Sequence, residues 1–336
     1  MGFHVNESQF DAWLTEQRKT YDIYAPMRYA GGNTFSDVDC IRYGKVSSIS
    51  EIVFDKKSEY SFKEVLSPIS QTLFFFTENE KKEADPPKKG AIIFLRSCDL
   101  HALKRLDDMY LRNGPEDYYY KRIRDNIKIV LIGCKQSFEN CFCVSMGTNI
   151  SENYDMSVNA QGSTYAINCK DNAWNQFFLD LGASRHLVVP DQVHENPVKV
   201  HIPENLTPDV ARASMWEQYN KRCINCGRCN FVCPSCTCFA MQDIHYCDNA
   251  NVGERRRVWS SCMVDKFTDV AGGGSYRKKN GERMRFKVLH KVYSHKKRHG
   301  CHMCVGCGRC DDICPEYISF SHCVNQLEDA MKEVST

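Results

Sequence analysis

The sequence has no long hydrophobic run. Its longest apolar stretches, Ala91 to Leu95 and Ile129 to Ile132, have the length of a β-strand and are too short to cross a bilayer. The amino terminus also lacks the basic start and continuous apolar stretch of a secretory signal peptide. We therefore expect a cytoplasmic protein without a membrane segment.

Nucleotide-binding motifs are missing as well. The sequence contains neither the G-x-G-x-x-G pattern of dinucleotide-binding folds nor a Walker motif, and no lysine–serine pair accompanies the glycines at 272–274. We therefore expect neither a flavin site nor a nicotinamide site in this chain.

Cysteine, in contrast, is abundant. The chain has twenty cysteines in 336 residues, and its 42% hydrophobic content is sufficient to bury an ordinary core. The disulfide framework of a small secreted domain does not explain so many cysteines in a chain of this length. The function of these cysteines has to be inferred from their spacing.

Two runs of the sequence repeat one cysteine pattern. Residues 223–233 and 304–314 both follow the spacing C-x2-C-x2-C-x3-C, and a proline follows each run. In proteins with two [4Fe–4S] clusters, the first three cysteines of such a run hold one cluster and the fourth reaches the other. The pattern predicts one cluster on Cys223, Cys226, Cys229 and Cys314, and a second cluster on Cys304, Cys307, Cys310 and Cys233.

Structural zinc sites are the alternative for these two runs. Zinc modules normally place a longer loop between two C-x2-C pairs, whereas here the pair spacings follow one another directly. The spacing therefore favours iron–sulfur clusters, and a chain with two such clusters is expected to transfer electrons.

The pattern of apolar residues changes near residue 205. In residues 1–205, the apolar runs Gly90 to Leu95 and Ile127 to Gly133 predict buried strands, with a helix at Leu100 to Leu111 between them. We therefore predict a mixed α/β domain over residues 1–205.

The remaining residues, 206–336, have apolar side chains at helical spacing around the cysteine runs. The two runs are separated by seventy residues, 234–303, which is too long a gap for a compact, strand-rich ferredoxin. We therefore predict an α-helical ferredoxin domain over residues 206–336, with two [4Fe–4S] clusters.

Four further cysteines follow the buried strands of the first domain. Cys98 follows the first buried strand and Cys134 the second, and Cys141 and Cys143 lie seven and nine residues beyond Cys134. Because α/β sheets place sites at the carboxyl ends of parallel strands, these thiols are candidates for a third [4Fe–4S] cluster. Asp99 is an alternative ligand, since Cys141 and Cys143 are close in sequence, and buried cysteines that only pack are the alternative to a cluster.

The other cysteines have no such assignment. Four lie near the two runs and are expected to surround the ligands rather than to bind metal: Cys236, Cys238, Cys262 and Cys301. Four more have no informative spacing: Cys40, Cys169, Cys247 and Cys323.

Positive charge is concentrated between the two runs. Residues 254–298 contain fourteen Lys or Arg against four Asp or Glu, although the whole chain has a net charge of only +2. We expect this segment to offset anionic clusters or to dock an acidic redox partner. Nucleic-acid binding is a remote alternative, and a solvated surface is the plainest one.

Several longer motifs resemble one family. They are similar to the A subunit of anaerobic sulfite reductase and, more distantly, to the iron–sulfur β subunit of soluble nickel–iron (sulf)hydrogenases. The resemblance spans most of the chain from about residue 60 onward, and the motifs that carry it are Arg96 to Tyr110, Gly133 to Gly147, Cys233 to Phe239, Gly253 to Gly273 and Cys304 to Ile318.

The resemblance implies an electron-relay subunit. In the sulfite reductase family, this subunit connects a flavin-containing subunit, which oxidises a reduced nicotinamide, with a sirohaem subunit that reduces sulfite to sulfide. It implies these two partners here, a cluster role for the cysteines of the first domain, and no catalytic residue in this chain. A hydrogenase β subunit is the alternative; an iron–sulfur nucleic-acid protein and a redox-sensing regulator are the remote ones.

Overall fold

A large mixed sheet organises the first part of the chain. The structure is a computed structural model that describes residues 2–32, 37–246 and 250–335. Its strands in chain order are β1 (Gly2–Asn6), β2 (Tyr21–Tyr29), β3 (Cys40–Lys45), β4 (Ser70–Phe76), β5 (Lys81–Glu83), β6 (Gly90–Leu95), β7 (Ile127–Ile132), β8 (Met156–Gln161), β9 (Thr164–Cys169), β10 (Ser184–His186), β11 (Phe239–His245), β12 (Gly253–Trp259), β13 (Asp269–Val270) and β14 (Gly274–Ser275).

Helices cover the faces of this sheet, and several more lie in the carboxyl-terminal part. In chain order they are α1 (Glu7–Gln17), α2 (Lys63–Leu66), α3 (Ser97–Leu111), α4 (Tyr118–Arg124), α5 (Asn172–Asp180), α6 (Tyr219–Arg222), α7 (Arg228–Phe231), α8 (Asn280–Leu289), α9 (His295–His299), α10 (Arg309–Asp312), α11 (Phe320–Asn325) and α12 (Leu327–Ser335). A π-helical turn, His290–Ser294, joins α8 to α9. Each helix in the described ranges is too short or too polar to cross a membrane.

The large sheet has the strand order β10-β1-β9-β8-β7-β6-β2-β3 over the described residues. Strands β2, β6, β7 and β8 pair in parallel, and the outer strands pair antiparallel. The two predicted buried strands are the central strands β6 and β7, because a strand covered on both faces has a continuous apolar run. The helix predicted between them is α3, which begins at Ser97 rather than at Leu100.

Alternate residues of the central strands enter two separate cores. On β6, Ile92 and Phe94 belong to one core with Trp13 of α1. Ile93 of the same strand belongs to the other core, with Leu103 of α3. The period-two alternation of a strand therefore places helices on both faces of the sheet.

A second sheet joins distant parts of the chain. Its order is β11-β12-β4-β5, with β12 antiparallel to both β11 and β4. The sequence predicted a helical domain over residues 206–336. The structure differs, because a β-hairpin lies between the two cysteine runs. The sheet also crosses the predicted domain boundary at residue 205, and the Trp259 indole on β12 donates a hydrogen bond to the Ser67 carbonyl at 2.9 Å.

A third core lies among the carboxyl-terminal helices. It contains Trp216, Met284, Val288 and Leu327, which come from segments before, between and after the two cysteine runs. The helical spacing predicted around the second run is confirmed by α8, α11 and α12. This core positions the two runs against each other.

Candidate metal centres

Both cysteine runs fold in the same way. Gly227 in the first run and Gly308 in the second occupy the left-handed region, with φ of +72° and +71°, and a four-residue helix follows each glycine. Glycine adopts this conformation at little cost because it has no Cβ. At Gly308 a Cβ would also overlap the backbone carbonyl of Asn140, so the second turn fits closely against the first part of the chain.

A single cavity collects the four cysteines predicted for the first cluster. Its lining includes Cys223, Cys226 and Cys229 of the first run together with Cys314 of the second. Cys310, which is predicted to bind the second cluster, lines the same cavity. The fourth cysteine of the second run therefore faces the first run, as crossed ligation requires.

A buried lysine lies against this cavity. Lys287 is 3% exposed and lines the cavity from α8. Burial alone would lower the pKa of its ammonium group, but the thiols of Cys229 and Cys310 raise that pKa overall. Negative charge on the sulfurs thus stabilises the buried cation, and the cation favours thiolate ligands in return.

The second group combines three cysteines of the second run with Cys233 of the first. Burial raises the pKa of Cys304 to about 12; the Lys291 ammonium opposes this rise, and the thiols of Cys307 and Cys233 add to it. The Lys291 ammonium donates to Cys233 Sγ at 3.2 Å. Burial likewise raises the pKa of the neighbouring Cys310. These thiols must lose protons when they bind a metal, so binding releases protons.

The four cysteines of the first domain also lie together. Burial raises the pKa of Cys143 to about 11, and the thiols of Cys141 and Cys134 contribute to the rise. Burial raises the pKa of Cys98 well above its usual range, with contributions from Asp99, from Cys307 of the second run and from Cys143. The predicted group is therefore assembled at the carboxyl ends of β6 and β7, next to the second run.

Cationic and amide groups donate to these sulfurs. The Arg96 guanidinium donates to Cys134 Sγ at 3.2 Å, and the Lys57 ammonium lies 3.9 Å from Cys141 Sγ. The Asn196 amide lies 3.6 Å from Cys143 Sγ. Donors to sulfur stabilise thiolates and commonly accompany metal ligands, and the third cluster stays a prediction.

Asp99, the alternative ligand proposed from the sequence, belongs to a buried ion pair. Its side chain is fully buried, and its two carboxylate oxygens accept hydrogen bonds from the Arg309 guanidinium at 2.7 and 3.1 Å. The Tyr43 hydroxyl lies 3.5 Å from the same carboxylate. Asp99 is thus paired with an arginine of the second run, and its charge also contributes to the raised pKa of the neighbouring Cys98 thiol; its use as a cluster ligand stays a prediction.

Backbone contacts hold the second run against the first domain. The Phe142 amide donates to the Gly306 carbonyl at 2.8 Å, and the Thr148 hydroxyl donates to the Val305 carbonyl at 2.6 Å. The Lys57 ammonium donates to the Cys307 carbonyl at 3.0 Å. The second group therefore borders the third, and Cys310 connects it with the first cavity; we call this succession of neighbouring groups the row.

The unassigned cysteines near the first run form contacts of their own. The Cys236 thiol donates to Cys233, and this contact holds the pKa of Cys233 well below its usual range. Cys238 and Cys262 make a similar contact, and the Asn230 amide donates to Cys262 Sγ at 3.1 Å. Cys236 therefore lies beside a predicted ligand of the second group; that these three thiols surround the ligands rather than bind metal stays a prediction. Cys40, Cys169 and Cys323 are buried elsewhere, and Cys247 is outside the described residues.

The buried lysines were not predicted individually. Lys63, Lys287 and Lys291 are each at most 4% exposed, and within the described ranges none of them forms an ion pair with a carboxylate. Lys287 and Lys291 lie on the same helical face as Met284 and Val288. Lysines within the apolar stripe of a predicted helix were the signal that could have revealed them.

The basic segment is partly neutralised inside the protein. Arg257 pairs with Asp117 at 2.5 Å and Arg283 with Asp265 at 2.5 Å, and Lys287 and Lys291 face the cysteines. Only the two lysines have the position that the predicted offset of cluster charge requires; the two arginines neutralise carboxylates. Docking of a redox partner on its remaining charges stays a prediction.

Comparison with known proteins also indicates iron–sulfur clusters. Residues 222–318 match the family model described as a 4Fe-4S dicluster domain. The chain binds [4Fe–4S] clusters. Groups of four thiols with ammonium groups beside them fit such clusters, because the cations offset the negative charge of thiolate-ligated iron. No solved structure matched the chain.

A full-length relative indicates the kind of protein. The chain is 28% identical to "Sulfhydrogenase 2 subunit beta" of Pyrococcus furiosus over 342 residues, which cover 97% of this chain and 98% of the relative. An iron–sulfur electron-transfer subunit is thereby supported. The comparison favours the hydrogenase β subunit, the more distant of the two resemblances, and gives no support to the sulfite reductase hypothesis.

Proposed function

We propose that this chain is the iron–sulfur electron-transfer subunit of a multi-subunit oxidoreductase of the sulfhydrogenase kind. It relays electrons within the complex, and substrate chemistry takes place on other subunits. The row of three adjacent cysteine groups carries this proposal. A [4Fe–4S] cluster takes up and releases one electron at a time, so such a row suits stepwise transfer.

The order of the row follows from residues shared between neighbouring groups. Cys310 lines the first cavity, and Cys304 and Cys307 both influence its pKa, which burial mainly raises. Cys307 also contributes to the raised pKa of Cys98 in the third group, after burial and Asp99. Thiols of successive groups are thus near neighbours, which supports a path from residues 223–229 to the end of β6.

Positively charged side chains of the protein lie beside this path. The lysines beside the first two groups, Lys287 and Lys291, are buried and supply fixed positive charge where electrons would be held. Arg96 and Lys57 supply positive charge beside the third group in the same way. Fixed cations stabilise an added negative charge with little rearrangement, which favours rapid exchange of electrons.

The partners of the complex are part of the proposal. A cytoplasmic complex of this kind pairs the relay with a hydrogen-converting subunit at one end and a flavin-containing, nicotinamide-linked subunit at the other. The relative's designation as subunit beta supports an assembly with other subunits. A sirohaem subunit in place of the hydrogen-converting one would restore the sulfite reductase hypothesis.

Purification of the native complex tests the identity of the partners. The tagged chain should be isolated under anaerobic conditions, its co-purifying subunits identified, and the complex assayed for hydrogen-dependent and sulfite-dependent electron transfer. We expect hydrogen-dependent nicotinamide reduction. Sulfite reduction without any hydrogen activity would contradict the sulfhydrogenase assignment and would leave the relay role intact.

Replacing a proposed cluster ligand tests the relay role itself. Cys226→Ser should abolish electron transfer between hydrogen and nicotinamide, but should spare reduction by hydrogen of an artificial dye that meets the catalytic subunit directly. Cys40→Ser is the matched control, because Cys40 is a buried cysteine on β3 outside the three groups. Equal loss of both activities in an assembled Cys226→Ser complex would place the chemistry in this chain.

A further inference from the structure

A separate group of potential metal ligands lies where α3 meets α9. The atoms concerned are a carboxylate oxygen of Asp108, a ring nitrogen of His295 and Sγ of Cys301, and all three lie within 4.8 Å of one another. Asp108 belongs to α3 in the first part of the chain, whereas His295 and Cys301 precede the second cysteine run. None of these residues belongs to the three cysteine groups.

The hydrogen bonds of His295 define which ring nitrogen is free. The ring is fully buried, and its Nδ1 lies 2.8 Å from the backbone carbonyl of Cys301. A carbonyl oxygen only accepts, so Nδ1 carries the hydrogen, and Nε2 of the neutral ring presents a lone pair. That lone pair faces Asp108 Oδ2, which is 3.7 Å away.

Two buried acceptors therefore face each other without a donor between them. Asp108 Oδ2 and His295 Nε2 both lack a hydrogen-bond partner within the described part of the chain. The 3.7 Å separation is too long for a direct hydrogen bond from a protonated ring. Unpaired buried acceptors are costly, and a cation placed between them would remove the cost.

We propose that Asp108, His295 and Cys301 bind one zinc ion. One nitrogen, one oxygen and one sulfur ligand form a donor set that zinc accepts in proteins. A carboxylate and a thiolate together supply two negative charges against the ion's double positive charge. The hydrogen bond from His295 Nδ1 to a backbone carbonyl is the support that metal-bound histidines usually have.

His299 is the nearest residue for the fourth position. Its ring centre is 4.6 Å from that of His295, one helical turn away, and its Nε2 is also buried without a hydrogen-bond partner among the described residues. A water molecule is the alternative fourth ligand, because zinc sites with three protein ligands commonly hold one.

The local backbone brings these ligands together. Helix α9 ends at Gly300, whose φ of +75° turns the chain back on the helix and brings Cys301 next to His295. The preceding π-helical turn leaves the Lys291 and Val292 carbonyls to accept from the Met303 amide and the His302 ring, both at 2.8 Å. Single-turn π-helices are frequent at functional sites.

A metal at this position would join the two parts of the molecule. Asp108 already accepts from Arg112 through Oδ1, at 3.0 and 2.7 Å, which fixes the carboxylate on α3. Zinc on Oδ2 would link α3 to the segment that leads into Cys304. The role we assign to the ion is therefore structural, and it is independent of the proposed electron relay.

Metal analysis of the intact protein tests the site. The full chain, produced with both iron and zinc and purified under anaerobic conditions, should contain about one zinc per chain in addition to its cluster iron. X-ray absorption at the zinc edge should show one sulfur at about 2.3 Å and lighter ligands at about 2.0 Å. No stoichiometric zinc, or zinc surrounded by four sulfurs at the cluster cysteines, would overturn the proposal.

Matched variants assign the ion to its ligands. Asp108→Asn preserves the shape of the side chain, and Cys301→Ser removes only the sulfur; both should lose zinc while keeping iron. The control His322→Ala removes an exposed histidine on α11 and should keep zinc. Loss of iron in Cys301→Ser would identify Cys301 as a cluster ligand, and retention of zinc in Asp108→Asn would exclude the carboxylate. Either result contradicts the site.

Discussion

Buried lysines beside cysteines are the most informative single residues in this chain. An ammonium group loses its hydration on burial, and within the described residues Lys287 and Lys291 have no carboxylate to offset that loss. Negative charge on the neighbouring sulfurs is what stabilises them. The same interaction makes each lysine a determinant of how readily a nearby cluster accepts an electron.

The lysine nearest the second group should raise its reduction potential. In Lys291→Met, the proposed cluster of Cys233, Cys304, Cys307 and Cys310 loses a cation that stabilises its more negative, reduced form. We therefore expect a lower midpoint potential in a redox titration followed by electron paramagnetic resonance. Lys296→Met is the control, because Lys296 is exposed on α9. An equal shift of the midpoint potential in both variants would show that the net charge of the protein, and not the position of Lys291, determines the potential.

Crossed ligation makes a second prediction for single cysteines. Cys314→Ser should disturb the cluster held by Cys223, Cys226 and Cys229, because Cys314 lines their cavity. Cys304→Ser should disturb the other cluster of the pair. The paramagnetic spectra of the two variants should therefore lose different signals. If both variants lose the same signal, each run closes its own cluster and the crossed assignment is wrong.

At the scale of elements, strands with continuous apolar runs were predictable and those with charged residues were not. Strands β6 and β7 follow directly from their continuous apolar runs. Strand β12 has three consecutive arginines, and its neighbour β4 is about 180 residues away. Local patterns do not contain such a pairing, so the second sheet was missed.

Helix boundaries show a similar limit. The residue that caps α1 is Asn6, whose side chain accepts from the Gln9 amide at 2.8 Å, and not Ser8 two residues later. Both residues are good caps, and the choice between them depends on where β1 ends. The cysteine groups were predictable because ligand spacing is local, whereas the buried lysines depend on which helical face the tertiary structure covers.

The glycine that begins α10 should be required for stability. Gly308→Ala would place a Cβ against the Asn140 carbonyl and would also strain a left-handed residue. We expect it to lose more than the 1–2 kcal/mol or so that the left-handed conformation alone costs. The control Gly182→Ala has nearly the same φ, +69°, but no atom within 4 Å of the added Cβ. The difference between the denaturation midpoints of the two variants measures the effect of the contact with Asn140, apart from the strain of the left-handed conformation. Equal midpoints would exclude an effect of that contact.

At the scale of the whole molecule, a buried ion pair connects the second cysteine run to the first part of the chain. Arg309 binds Asp99 through two hydrogen bonds and also donates to the Ser58 carbonyl at 2.9 Å. Both members of the pair are almost completely buried. Breaking such a pair is costly because it leaves one charge without compensation.

Removal of the arginine alone should therefore be more harmful than removal of both charges. We expect Arg309→Met to lower the free energy of unfolding by about 3–5 kcal/mol, since Asp99 is then buried and unpaired. The double variant with Asp99→Asn should recover part of this loss. Chemical denaturation of both proteins measures the difference, and a double variant that is less stable than the single one would contradict the argument.

The number of clusters is a property of the complete chain. If all three cysteine groups hold a [4Fe–4S] cluster, the anaerobically reconstituted protein should contain about twelve irons. Cys134→Ser should reduce this number to about eight while the two signals of the dicluster domain remain. About eight irons in the wild-type protein would rule out the third cluster, and zinc in place of iron would contradict the electron-transfer role.

The cavity shared by the two runs has a consequence for synthesis of the protein on the ribosome. One wall of that cavity comes from residues 223–229, and the other contains Cys310 and Cys314. At a synthesis rate of about 5–20 residues per second, the second wall follows the first after roughly 4–16 seconds. During that interval the first three thiols lie in an incomplete site. An organism that makes this protein must therefore keep those thiols reduced, and deliver iron and sulfur, after most of the chain has left the ribosome.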